Sequence, residues 1–260
     1  MTLWEYVNHF DPLDDYMDTI LQQMMATVDG GLAREGVLPG DLKLKRIAKE
    51  LKQKADTAKS AAEREKLLLC AYAYSASEEN ASGSTTVTAP TLGSSGILPA
   101  LVCYYHRILG VSREQLRNGL KVAGLFGNLI KENATISGAQ GGCQAEIGAA
   151  VAMGAAMVSY LRGQTMRQIE YAAEIGIEHH LGLTCDPVGG YVMIPCIERN
   201  AVGVLRAMDA AVLAEGISDL REHKVSFDMV VNTMNYTGRK IPIELRETSL
   251  GGLARVVPLK

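Results

Sequence analysis

The chain is predicted to be all-α, a single large helical domain with its function in Gly-rich loops between helices, and three observations predict this. Apolar residues recur at helical spacing through much of the chain. Helix start and stop signals punctuate the pattern, with Ser112, Thr165 and Ser226 placed to cap helices and Gly163 and Gly238 placed to end them. Only "TTVTA" and "GYVMI" resemble strands, and both are too short to build a sheet.

Residues 1–40 form an N-terminal helical segment, with helical periodicity from Pro12 to Val28, and residues 41–260 form the main helical domain. Asp41 to Ala81 repeats the pattern over a length that suits two helices. "NASGSTTVTAPTLGSSG", residues 80–96, is small and polar with no period, and it leads into the helical "ILPALVCYYHRILG". Ser112 opens the next helix, with Gln115 completing a capping box. Further helices are expected at about 144–162, 165–180, 198–215 and 226–238. There is no internal repeat and no linker after about residue 40.

Composition narrows the function classes. A chain of 260 residues with 47% hydrophobic and 21% charged residues is globular and can bury a large core. A net charge of -3 without a dense Lys/Arg block excludes a nucleic-acid surface. The least charged stretch, Asn133 to Leu161, is rich in Gly, Ala and Met, which suits tight helix packing inside a protein better than a lipid-facing span. "MTLWEYVNHFDPLDDY" has neither a basic leader nor an apolar core, so a soluble, cytoplasmic protein without membrane contact is expected. Five cysteines, an odd number without a signal, point to free thiols or metal ligands rather than a disulfide framework.

Three of those cysteines share a setting. Cys143 follows Gly141 and Gly142 in "SGAQGGCQAE", where a helix start favours thiolate. Cys185 precedes the turn Asp-Pro-Val-Gly-Gly, and Cys196 follows Pro195. Cys70 and Cys103 lie instead on apolar helix faces. A free cysteine is most often a small buried hydrophobe, and that reading stands for each of the three singly. Zinc sites and thioredoxin chemistry use close Cys pairs that are absent here. Three thiolates from separate turns can hold a 4Fe-4S cluster with one iron free to act as a Lewis acid.

"KENATISGAQGGCQAEIG", "EHHLGLTCDPVGGYVMIPCIERNA" and "LRETSLGGLA" resemble the α chain, or α domain, of the iron-sulfur-dependent L-serine dehydratases (L-serine ammonia-lyases). The similarity continues through "TAPTLGSSGILPA" and, more weakly, "EGVLPGDLKLKRIA", from about residue 30 to 255. The resemblance implies a 4Fe-4S cluster on Cys143, Cys185 and Cys196. It implies elimination of water from L-serine, giving an aminoacrylate that becomes pyruvate and ammonia, with the open iron taking charge from the departing hydroxide. The base that removes the Cα proton is open among Lys131, Glu146 and His180; for Glu146 an orienting role comes first and for His180 a structural hydrogen bond.

"TAPTLGSSG" offers hydroxyls and backbone N–H groups before a helix start, a natural carboxylate site, so Thr88, Thr91, Ser94 and Ser95 are candidate substrate-binding residues. Asn200 joins them, with a bond to the cluster, to the substrate or to its own helix end as its options. Family members also carry a β domain, in the same chain or a separate one, with no counterpart in this sequence. The chain is therefore expected to be an α subunit needing a β subunit, or a homo-oligomer. The alternatives are a non-catalytic assembly subunit, a lyase for another small β-substituted amino acid, and a pyridoxal-phosphate eliminase using Lys131, which would leave the cysteines unexplained.

Overall fold

A computed structural model describes residues 5, 6, 9 and 13–258. Among the described residues the protein is helical and contains no β-strand. The first helix, α1 (Asp14–Ala33), runs past Val28; Pro12, where its periodicity begins, lies outside the described residues. Gly31 is buried inside it, and a Cβ there would strike the carbonyl and hydroxyl of Ser75, so the glycine permits close helix approach rather than ending the helix.

The expected helix pair is present as α2 (Ala48–Asp56) and α3 (Ala61–Ala81). Ser60 caps α3 by accepting from the Glu63 N–H. The start of α2 is capped from across the fold. Buried Glu78 accepts from the N–H groups of Ile47 at 2.7 Å and Ala48 at 3.3 Å. Its neighbour Glu79 pairs with Arg46 at 2.9 Å and Arg34 at 2.8 Å, tying down the connection before α2.

Next come α4 (Ile97–Arg107) and α5 (Arg113–Asn133), the latter opened by the Ser112–Gln115 capping box. A π-helical turn, Gln144–Gly148, leads into α6 (Ala149–Leu161), in which every residue from Ala149 to Ser159 is buried. This is the uncharged stretch of the sequence, and its small residues serve close packing as expected. A Cβ on Gly154 would lie 2.8 Å from Leu101 and 3.1 Å from Ala207. No helix among the described residues is long and apolar enough to cross a membrane.

Gly163, with φ 72°, ends α6 as expected. Thr165 and Ser226 cap α7 (Met166–Glu178) and α9 (Phe227–Lys240). Between these lies α8 (Cys196–Ile217), which starts at the cysteine itself, so Cys196 sits in a first helical turn rather than in the preceding loop. Gly238 departs from expectation too. It lies within α9, where an added Cβ would be 2.8 Å from the Gly141 Cα.

The two strand-like runs form no strand, in keeping with the all-α expectation. At "TTVTA" the Thr85 carbonyl is taken by the Gln23 and Thr27 side chains of α1, so no partner strand is recruited. "GYVMI" follows Gly189 at φ 64° and begins with Gly190 at φ 76°, which break the extended backbone into turns.

Two apolar clusters share α6. Leu21, Leu69, Ile97, Leu101, Val151 and Val204 belong to one, from α1, α3, α4, α6 and α8. Phe126, Ile130, Ala156, Ile169, Phe227 and Met234 belong to the other, from α5, α6, α7 and α9, with Phe126 and Phe227 edge to face at 4.9 Å. Each such large side chain contributes about 1.5–3 kcal/mol by leaving water. The π turn, the 3₁₀ turn Leu92–Ser94 before α4 and the start of α8 are in mutual contact. Helix N-terminal ends thus converge on one place, which favours negative charge there.

Candidate metal and substrate site

Cys143, Cys185 and Cys196 are all buried, and none is disulfide-bonded. Cys143 precedes the π turn after Gly142, whose φ of 73° brings the backbone against the Leu183 carbonyl. The Cys185 thiol has one proton, which it can give to Glu146 or to the Cys143 sulfur. A bond to Cys143, helped by the Arg199 guanidinium, holds Cys143 below the usual thiol range despite its burial. The same bond and burial push Cys185 up, and burial pushes Cys196 up to about 12. Cys103, in the core of α4, is also pushed to about 12 by burial, as fits a packing thiol.

Cys185 and Cys196 line a cavity of about 440 Å³, shared with Thr91, Gly93, Glu146 and Glu247. Glu146 projects from the π turn and accepts from the Thr91 hydroxyl at 2.7 Å, while the Cys185 thiol lies 3.6 Å from its other oxygen. Burial raises its carboxyl above the usual range, with the Thr91 bond opposing. Two glycines make room for it. A Cβ on Gly138 would lie 2.6 Å from Glu146 and 3.2 Å from the Cys185 sulfur, and one on Gly93 would lie 2.8 Å from Glu146.

The segment 243–252 closes the site from the far end of the chain. Cys185 N–H donates to the Leu245 carbonyl at 2.8 Å, and Glu247 N–H donates to the Cys185 carbonyl at 2.5 Å. Asp186 accepts from Leu253 N–H at 2.5 Å, and Arg199 donates to the Thr184 carbonyl at 2.6 Å. Ligand atoms of Glu146, Cys185 and Glu247 all lie within 4.8 Å of one another, so these three can together hold a metal ion.

Residues 7–254 match the family model for the serine dehydratase alpha chain. The chain belongs to the serine dehydratase alpha chain family. It is 44% identical over 249 residues to the L-serine dehydratase of Streptomyces coelicolor, covering 94% of this chain and 53% of that protein. It is 43% identical over 246 residues to L-serine dehydratase 1 of Escherichia coli, covering 93% and 54%, and 41% identical over 250 residues to the L-serine dehydratase of Helicobacter pylori strain 26695, covering 94% and 54%. The chain thus spans about half the length of the curated relatives it matches.

The other sequence-predicted residues of this serine dehydratase alpha chain fall into separate places. Asn200 is buried, does not line the cysteine cavity, and bonds no sulfur among the described residues. It accepts from Gly96 N–H at 2.9 Å and donates to the Gly93 and Cys196 carbonyls, each at 2.8 Å, which locks the 92–96 turn to the start of α8. Ser94 and Ser95 are also buried and bond within their own turn, to Ala89 and Leu92 carbonyls among others. Thr91 alone of the four hydroxyl candidates lines the cysteine cavity. Thr88 lines a neighbouring groove of about 850 Å³ together with Lys131, and Ile136 is common to both spaces.

His180 lines neither. Its Nδ1 meets the Gly176 carbonyl at 2.6 Å, and it borders a small pocket with His179 and Arg206 behind the π turn. Burial lowers its pKa from the usual imidazole value. Sequence reasoning missed Glu247, Arg199 and Gln144. Fully buried Gln144 accepts from Gly182 N–H at 2.9 Å and donates to the Met234 carbonyl at 3.0 Å, bracing the cysteine loops against α9. Glu247 lies inside "LRETSLGGLA", one of the segments that carry the family resemblance, and that was the available signal.

Proposed function

We propose that this chain is the cluster-bearing α subunit of an L-serine dehydratase, holding a 4Fe-4S cluster on Cys143, Cys185 and Cys196 and working with a β partner. The observation that carries the reading is the meeting of sulfurs from distant parts of the chain, with the free Cys143 and Cys185 side chains interacting and Cys185 lining one cavity with Cys196. The donor set fits such a group. Three soft sulfur ligands without a close Cys pair suit an iron-sulfur cluster better than zinc, and the glycines at 93 and 138 keep side chains off the space beside them. When bound, the cluster supplies a Lewis acid at the iron that lacks a cysteine, which stabilises the departing hydroxide.

The chain's own residues have distinct tasks. Arg199 and the converging helix ends offset negative charge at the sulfurs. Asn200 and Gln144 hold the loops that present them. Of the three base candidates, Glu146 alone lines the cavity, which supports it as the group that takes the substrate's Cα proton, with Thr91 donating to one of its oxygens. The β partner is supported by the half-length match and by Leu92, Ile243 and Leu250, which are exposed on the segments that border the cavity.

The direct test is Cys185→Ser in the anaerobically purified complex with its partner. Loss of iron, sulfide and cluster absorbance together with serine deamination, at unchanged helix content, is the expected result. Unchanged deamination would end the proposal.

A further inference from the structure

Among the described residues, the cavity that holds Cys185 and Cys196 is lined by two carboxylates, Glu146 and Glu247, and by no Lys, Arg or His side chain. The two carboxylates are held differently. Glu146 is committed to Thr91 at 2.7 Å and to the Cys185 thiol at 3.6 Å. The Glu247 carboxylate has no hydrogen-bond or ion-pair partner among the described residues, yet one of its oxygens lies within 4.8 Å of both the Cys185 sulfur and a Glu146 oxygen. Its backbone holds it there instead. Glu247 sits at φ 64°, a conformation that L residues seldom adopt, and its N–H is fixed to the Cys185 carbonyl at 2.5 Å.

We propose that Glu247 binds the α-ammonium of the substrate, and so makes the site selective for α-amino acids over the corresponding hydroxy acids. The inference rests on the dehydratase reading above. An amino acid arrives as a zwitterion; Glu247 is the exposed part of the lining, so the two carboxylates draw the ammonium to the cavity's open side while the converging helix ends draw the carboxylate inward. Of the two lining groups, Glu247 is the one without a partner among the described residues, and Glu146 is left for the Cα proton. The substrate carboxylate is left to the opposite wall, where the backbone of the Leu92–Ser94 turn opens α4. A charge-assisted bond of this kind is worth about tenfold to a hundredfold in affinity.

The experiment uses the cluster-loaded complex with its partner and compares the wild type with Glu247→Gln and Glu247→Asp. Rapid-mixing spectroscopy of the cluster measures L-serine binding before turnover, competitive inhibition measures binding of 3-hydroxypropanoate, which is serine without its amino group, and steady-state kinetics gives KM and kcat. Glu247→Gln should weaken L-serine binding and raise KM by about tenfold or more, leave 3-hydroxypropanoate binding within about twofold, and keep the cluster spectrum; Glu247→Asp should recover part of the loss. Serine binding unchanged in Glu247→Gln overturns the inference while leaving the dehydratase reading intact. Parallel weakening of both ligands overturns it too, because it assigns Glu247 a structural part. A wild-type complex with an intact cluster that binds no serine overturns both.

Discussion

Asn200 satisfies three backbone groups with one side chain, binding Gly96 N–H and the carbonyls of Gly93 and Cys196. Asn200→Ala leaves the Gly96 N–H without this acceptor and takes one donor each from the Gly93 and Cys196 carbonyls, which should cost about 1–3 kcal/mol in urea unfolding of the metal-free chain. Asn200→Asp should recover only part of this, because it accepts from Gly96 but cannot donate. Glu174 makes a second prediction at this scale. It is buried on α7, with His223 Nε2 3.4 Å away and the His223 ring stacked on Tyr171. Burial, with Glu178 and Glu170 on the adjoining turns, pushes its carboxyl from 4.5 to about 8, and burial lowers His223 from 6.5. The folded chain therefore keeps a proton that the unfolded chain releases near 4.5. That contribution is complete at low pH and is lost as pH rises through about 8. The lowered His223 works in the opposite sense, but only below 6.5. Stability should accordingly fall between pH 6.5 and 8 more steeply in the wild type than in Glu174→Gln, and equal slopes would contradict the assignment.

At the scale of elements, Gly238 and Gly141 mark where α9 rests on the turn before Cys143. Gly238→Ala puts a methyl group 2.8 Å from the Gly141 Cα, so it should destabilise the chain by about 1–3 kcal/mol and loosen that turn, as read by denaturation and by faster thiol labelling of Cys143. Gly238 also shows why some elements were legible in the sequence and others were not. The caps at Ser112, Thr165 and Ser226 were readable because donor and acceptor lie within three residues of each other. A glycine that ends a helix and a glycine that lets two backbones touch look alike until the distant partner is known. "TTVTA" has β-branched side chains, but α1 takes its carbonyl before any strand can. The cysteine turns were legible from their Gly and Pro neighbours. Glu247 was not, because it reaches Cys185 only through pairing between remote segments. The low pKa expected for Cys143 was legible in direction, but its main cause, the Cys185 thiol, was not.

For the whole molecule, a ligand that binds only the folded state adds its binding energy to stability. Anaerobic loading with iron and sulfide should therefore raise the melting temperature of the chain, and Cys185→Ser should remove that increment while leaving the metal-free melting temperature close to wild type. A further outcome concerns completeness: the loaded chain without its partner should deaminate serine far more slowly than the complex, in a coupled pyruvate assay. Segment 243–253 carries a last consequence. Asp186, next to Cys185, is tied to Leu253, and the Cys185 backbone is paired with Leu245 and Glu247. Leu253→Pro, which has no N–H for Asp186 to accept, should then slacken the Cys185 loop and speed thiol labelling of Cys185; segment 243–253 is a latch on cysteines encoded far upstream.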